Sequence, residues 1–141
     1  MAERPSPIVK QILKERFGKD SLIALATAVK DVPYVRAVNA YYEEGAFYIV
    51  THALSNKMKQ LEKNPLASIA GEWFTAQGTG ENIGHVRDEK NAVIAQTLRG
   101  VFAGWYSNGH VDEADPNTCI LRIRLTEGVL FSNGRRYDIT F

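Results

Sequence analysis

Between residues 119 and 125 the chain alternates strictly. Cys119, Leu121, Ile123 and Leu125 fall on one side of an extended segment, and Arg122 and Arg124 on the other. Period two marks a strand with one face in a core and the other in water. Further on, Asn133-Gly134 separates two more strand-like runs, 128–132 and 135–141. Asn-Gly suits the tight left-handed turn of a hairpin, and hairpins join antiparallel neighbours. The C-terminal end is thereby committed to an antiparallel sheet.

The segments before it do not alternate strand with helix. Ser6 can cap a first helix that Pro7 opens. Ile8, Val9, Ile12, Leu13 and Phe17 share its apolar face, and Gly18 is a plausible stop. Residues 21–29 are apolar on both faces, as in a buried central strand. A turn at 30–33 leads to strands over 34–42 and 46–51, joined by Glu43-Glu44-Gly45. Residues 55–63 read as a short helix with Ser55 as N-cap and Met58 and Leu61 inward, ended by Asn64-Pro65. Two strands follow over 66–76 and 78–86, with glycines at 78, 80 and 84 near their boundary. Asp88 can cap a second long helix with Ile94, Leu98, Val101, Phe102 and Trp105 on its apolar face. Residues 107–117 form a polar loop. This order predicts an α+β fold, a mainly antiparallel sheet curled into a barrel with flanking helices.

Composition narrows the function classes. With 141 residues, the chain suits one domain over 1–141. Cys119 is the only cysteine, so neither an internal disulfide nor a Cys-rich zinc site is available. His52, His85 and His110 lack metal-ligand spacing, and no metal site is expected. Seventeen Lys+Arg against 16 Asp+Glu leave a net charge of +1, which argues against a nucleic-acid binder. No apolar run approaches the ~20 residues of a membrane span, and the first residues lack a signal-peptide core. A soluble cytoplasmic protein in a reducing compartment is the expectation.

Chemistry concentrates in 34–65. Arg36 lies in mid-strand on the face of Tyr34, Val38, Ala40 and Tyr42, where a permanent charge needs an anion or a route to water. The next strand ends at Thr51, and Ser55-Asn56-Lys57 opens a helix shortly after. A helix start offers unpaired N–H groups and a positive dipole end, and Thr51 and Ser55 add hydroxyls. Lys57 in that first turn opposes the dipole unless an anion lies between. The plainer alternative has Ser55 merely capping, Lys57 solvated and Arg36 paired with Glu43. There is no P-loop.

Val35-Arg36-Ala37-Val38, then Phe47-Tyr48-Ile49-Val50-Thr51, then Ser55-Asn56-Lys57-Met58-x-Gln60-Leu61-x-x-Asn64-Pro65 resembles the pyridoxamine 5′-phosphate oxidase-like family. Its members are FMN-binding split β-barrels of Greek-key type. The resemblance implies FMN in a cleft at a homodimer interface. Arg36, Ser55 and Lys57 would hold its phosphate, Thr51 would lie along the ribityl chain or ring, and backbone at Val38 and Asn39 would meet the isoalloxazine. Ala37, Val50, Asn56 and Trp73 complete the cofactor-binding residues so implied. Three departures stand out. Asn56 replaces the arginine that oxidase members usually carry between the Ser and the Lys. Tyr41 stands where they have a lysine, and the C-terminal Arg-x-His is missing. These point away from pyridoxamine or pyridoxine phosphate as substrate. They point towards the short members resembling general stress proteins or nitroimidazole-resistance proteins.

The resemblance implies an FMN-dependent oxidoreductase acting on an unidentified small molecule. With no glycine-rich dinucleotide fingerprint, NAD(P)H as donor would dock transiently. The rivals are a non-catalytic carrier or stress sensor for flavin or another anionic cofactor, and an interaction protein that has lost the cofactor. Some relatives take deazaflavin or haem instead. His110, beside Trp105 and Tyr106, is the candidate proton donor, against a plain solvent-exposed loop histidine. His52 is a second candidate at the phosphate. Asp112, Glu113 and Asp115 read as a solvated loop, and Trp73 and Phe74 as strand aromatics.

Overall fold

The computed structural model describes residues 2–141. Three α-helices and seven strands follow one another as α1 (Pro7–Phe17), β1 (Ser21–Val29), β2 (Val32–Glu43), β3 (Ala46–His52), α2 (Asn56–Lys63), β4 (Leu66–Gly71), β5 (Phe74–His85), α3 (Ala92–Val101), β6 (Thr118–Ser132) and β7 (Arg135–Thr140). The strands form one sheet in the order β3-β2-β1-β4-β5-β6-β7, and a further β3–β6 ladder closes the first six into a barrel. Every ladder between these strands is antiparallel. This is the α+β barrel with flanking helices that the sequence predicts.

Side-chain alternation fills the barrel. Ile23, Leu25, Phe47, Ile49, Leu121, Ile123 and Leu125 are buried in its core. Two helices, α1 and α2, add buried side chains to this core. On α1, Ser6 accepts from the Val9 N–H at 3.3 Å, and Val9, Leu13 and Phe17 point inward. Phe17 packs on Phe47 and Phe74 with ring centroids 5.6 Å away in each case. Ile8, expected on that apolar face, is instead 56% exposed, since the buried stripe of α1 runs through Val9, Leu13 and Phe17. On α2, Met58 and Leu61 are buried as expected. Over the outer face of the barrel, α3 buries Leu98 against Ile120 and Phe102, with Tyr48 and Val50 beneath it.

Several boundaries differ from the sequence reading. The first turn is tighter than 30–33. Lys30 and Asp31 alone take positive φ, so Val32 and Pro33 already pair with Val29 and Ala28. Pro33 is tolerated because β2 has no partner there on its other side. The β4–β5 break lies at Glu72-Trp73, not at 77. Trp73 has φ +52 and is 70% exposed in the turn, so it is not a strand residue. Gly78 and Gly80 sit inside β5, where they make room. A Cβ on Gly78 would lie 2.3 Å from the Arg124 carbonyl oxygen, and one on Gly80 3.0 Å from Leu61. The helix after Asp88 begins as a short 3-10 turn and ends at Val101, so Trp105 belongs to an irregular turn over 102–110. Residues 118–132 form one continuous strand, which takes up its irregularity as a register shift opposite Gln77/Gly78.

Candidate functional site

The barrel is split between β2 and β3. These strands pair only at Tyr41, Tyr42 and Glu43, so residues 32–40 of β2 keep a free backbone edge on that side. Beyond Thr51, β3 leads directly into α2, which packs against β1. The free edge and the start of α2 carry most of the residues singled out above.

Arg36 is half-buried on the inner face of β2. Its Nη1 donates to the Leu25 carbonyl at 3.2 Å and to Thr27 Oγ1 at 2.9 Å, and its Nη2 donates to Gln60 Oε1 at 2.7 Å. Thr27 Oγ1 donates to the same Gln60 oxygen at 2.7 Å. Neutral oxygens therefore hold the guanidinium in place without cancelling its charge. Burial pushes Arg36 below its ordinary pKa. Lys57 is half-buried close by, pushed down first by burial and then by repulsion from Arg36. Among the described residues neither cation is paired with a carboxylate. The Glu43 alternative is thereby corrected: Glu43 accepts from the Tyr41 hydroxyl.

Ser55 occupies the N-cap position of α2, yet its side chain makes no capping bond. Its Oγ is buried with no hydrogen-bond partner. A buried hydroxyl without a partner is costly, and this one stands at a helix start on the same turn as Lys57. The capping alternative is thus replaced by a donor held in reserve. Two uncompensated cations that repel one another, and an orphan hydroxyl at the helix start that carries Lys57, make a fitting set for a phosphate.

The remaining candidates divide. Thr51 ends the inner face of β3 opposite Cys119, whose thiol is buried and pushed up to about 11. Val38 faces the core, while Ala37 and Asn39 are exposed on the outer face, so the β2 backbone is what this stretch offers. The Val50 side chain packs under α3, away from Lys57. Asn56 is exposed. Trp73 lies at the far end of β4 from α2, so within one chain it does not join the cluster.

His110 is exposed, edge-on to Trp105 at 6.2 Å. Asp20, absent from the sequence reading, fixes that turn beside β2: it accepts from Trp105 Nε1 at 2.8 Å and from Asn39 Nδ2 at 3.0 Å. His52 is engaged elsewhere. Its Nδ1 accepts from the Leu54 N–H and its Nε2 meets Asp115 at 3.1 Å. The acidic loop is also corrected. Glu113 is held by Arg99 and by the Tyr106 hydroxyl, and is not a solvated loop residue. Gln60 and Thr27, the residues that orient Arg36, were likewise missed. The only hint of them in the sequence was the Gln60 of the helix motif.

The sequence matches the family model of pyridoxamine 5′-phosphate oxidase over residues 9–131. The chain belongs to the pyridoxamine 5′-phosphate oxidase family. No curated protein matches it. Solved structures of similar fold include general stress protein 26 from Bacillus anthracis, at 16% identity and TM-score 0.70, covering 93% of this chain and 98% of that one. A NimC/NimA family protein from Clostridium acetobutylicum is 21% identical at TM-score 0.68, covering 92% of each chain. An FAD-binding protein from Mesorhizobium loti is 15% identical at TM-score 0.63, covering 84% of this chain and 90% of that one. The resemblance seen in the motif thus extends to the whole family model, and the family's split barrel is the fold observed. Among the described residues no helix is long and apolar enough to cross a membrane.

Proposed function

We propose that this family member is an FMN-dependent oxidoreductase. The carrying observation is the buried, unpartnered Ser55 hydroxyl at the start of α2, two residues before Lys57, which itself feels the charge of Arg36; this set suits the phosphate of a flavin mononucleotide. Arg36, Lys57, Ser55 and the first N–H groups of α2 would hold that phosphate, with Thr51 next along β3. The free β2 edge at Ala37, Val38 and Asn39 would meet the ring with backbone groups. Bound there, FMN supplies hydride or electron transfer between a donor such as NAD(P)H and a small-molecule acceptor. The chain's own part is to orient the ring, exclude water from it, and keep positive charge near it.

We further propose a homodimer that completes the site. The outer face of β1, β2 and β4 is apolar and exposed: Leu22 at 68%, Val35 at 70% and Leu66 at 64%. Register places Ala24 between Ala37 and Ala70, and Ala26 between Val35 and Ser68. Small side chains across three strands let a second sheet approach closely.

The test is a visible spectrum of the purified protein followed by titration with FMN. The expected result is stoichiometric, saturable FMN binding and NAD(P)H oxidation with an added acceptor. Saturable binding without turnover against a panel of acceptors would mark a carrier. Failure to bind FMN, or a haem spectrum in its place, would overturn the assignment.

A further inference from the structure

Away from the proposed flavin site, a concavity of about 450 Å³ opens between α3 and the segment that follows it. Its wall is built around one carboxylate. Arg99 of α3 grips Glu113 bidentately, through Nε at 2.8 Å and Nη2 at 3.0 Å. The Tyr106 hydroxyl donates to Oε2 at 2.5 Å. Arg87, from the connection after β5, reaches Oε1 only with Nε, at 3.4 Å. Arg99 and Tyr106 make three bonds to Glu113, whereas Arg87 adds only one long one, so most of the Arg87 guanidinium is not used in the clasp. Both Nη groups of Arg87 and the Nη1 of Arg99 have no protein acceptor among the described residues. Two guanidiniums facing one carboxylate leave the concavity with one excess positive charge. Ser107 adds a hydroxyl at its wall, and Ala103 and Val111 add apolar surface.

We propose that this concavity binds a small organic carboxylate, its oxygens taken by Arg87 and Arg99 and its apolar body lying on Ala103 and Val111. A guanidinium fork matches the two oxygens of a carboxylate. One excess charge matches a monoanion better than a phosphate dianion. The volume lies in the range of small-molecule pockets. Glu113 acts as a built-in spacer: it holds Arg99 rigid and leaves the outer donors free. The site shares no residue with the proposed flavin phosphate site and stands whether or not flavin binds.

The test is isothermal titration of the full chain with benzoate and, separately, with inorganic phosphate. Saturable benzoate binding is expected, weakened at least about tenfold by Arg87→Ala and unchanged by Lys57→Ala. In Lys57→Ala, where the proposed flavin phosphate site is weakened, inorganic phosphate should bind more weakly than benzoate. Arg87 is 62% exposed and makes only the long contact, so the Arg99–Glu113 clasp survives its removal. Arg87→Gln repeats the measurement while keeping the side-chain stem, and thermal melting confirms that each variant is folded. No saturable benzoate binding to the wild type would overturn the proposal. So would equal affinity in both Arg87 variants, loss in Lys57→Ala alone, or a preference for phosphate over benzoate that persists in Lys57→Ala and is lost in Arg87→Ala.

Discussion

At the scale of single residues, the proposed phosphate site turns on which first-turn side chain of α2 meets the anion. Lys57 is half-buried and feels Arg36, whereas Asn56 is exposed. Charge-assisted bonds contribute about 1.5–3 kcal/mol, so Lys57→Ala should weaken FMN binding at least tenfold. Asn56→Ala should change it by no more than about twofold, as at most exposed positions. Isothermal titration giving the reverse order would remove the assignment. Glu113 supplies a separate residue-scale test. Its bond to Arg99, then its bond to Tyr106, hold its pKa down from 4.5 to about 2. A carboxylate depressed in the folded state stabilises the fold above its unfolded pKa, and that contribution fades as pH falls from 4.5 towards 2. Glu113→Gln should therefore flatten the melting-temperature profile in that window relative to wild type, while lowering it near neutrality. Parallel profiles would place the acid sensitivity elsewhere, with Asp115 and Asp138 next in line.

At the scale of elements, most of the fold was legible where local chemistry fixes it. The Ser6-Pro7 start, the Glu44-Gly45 and Asn133-Gly134 turns and the Asn64-Pro65 stop all fall where side-chain and φ preferences put them. Legibility failed where tertiary packing gives a residue a different task. Gly78 and Gly80 read as breakers along the chain, but they lie in mid-strand because β6 and Leu61 press against them. Leu22 read as buried because residues 21–29 are apolar on both faces, yet it is 68% exposed. In the candidate site, Arg36, Ser55 and Lys57 were legible because a phosphate needs charge and donors at a helix start. Gln60, Thr27 and Asp20 were not, since their roles depend on which strands the barrel brings alongside. Gly78→Ala puts a methyl 2.3 Å from a backbone oxygen and should cost about 1–3 kcal/mol, the range for overpacking. Gly104→Ala, with nothing within 4 Å, should leave the melting temperature nearly unchanged. Equal effects at the two positions would mean that β5 and β6 are less closely apposed than described.

At the scale of the whole molecule, a net charge of +1 and an ordinary composition hide two local asymmetries. One is cationic, where Arg36 and Lys57 lack carboxylate partners. The other is apolar, where the outer face of β1, β2 and β4 shows leucine, valine and alanine to solvent. Both are unfavourable in an isolated chain, and one arrangement relieves both. If a second copy covers the apolar face, the split beside β2 becomes a walled cleft, and lower polarity there strengthens the hold of the two cations on a phosphate. Dimer formation and cofactor affinity should then be coupled. Val35→Glu adds a charge to the β2 side of the face without touching the core, since Val35 is 70% exposed. The variant should stay folded, elute as a 15.7 kDa monomer in size-exclusion chromatography with light scattering, and lose FMN affinity by about tenfold or more. A monomeric Val35→Glu that binds FMN as tightly as wild type would separate the two asymmetries. The phosphate site would then be complete within one chain, and the apolar face would need another explanation.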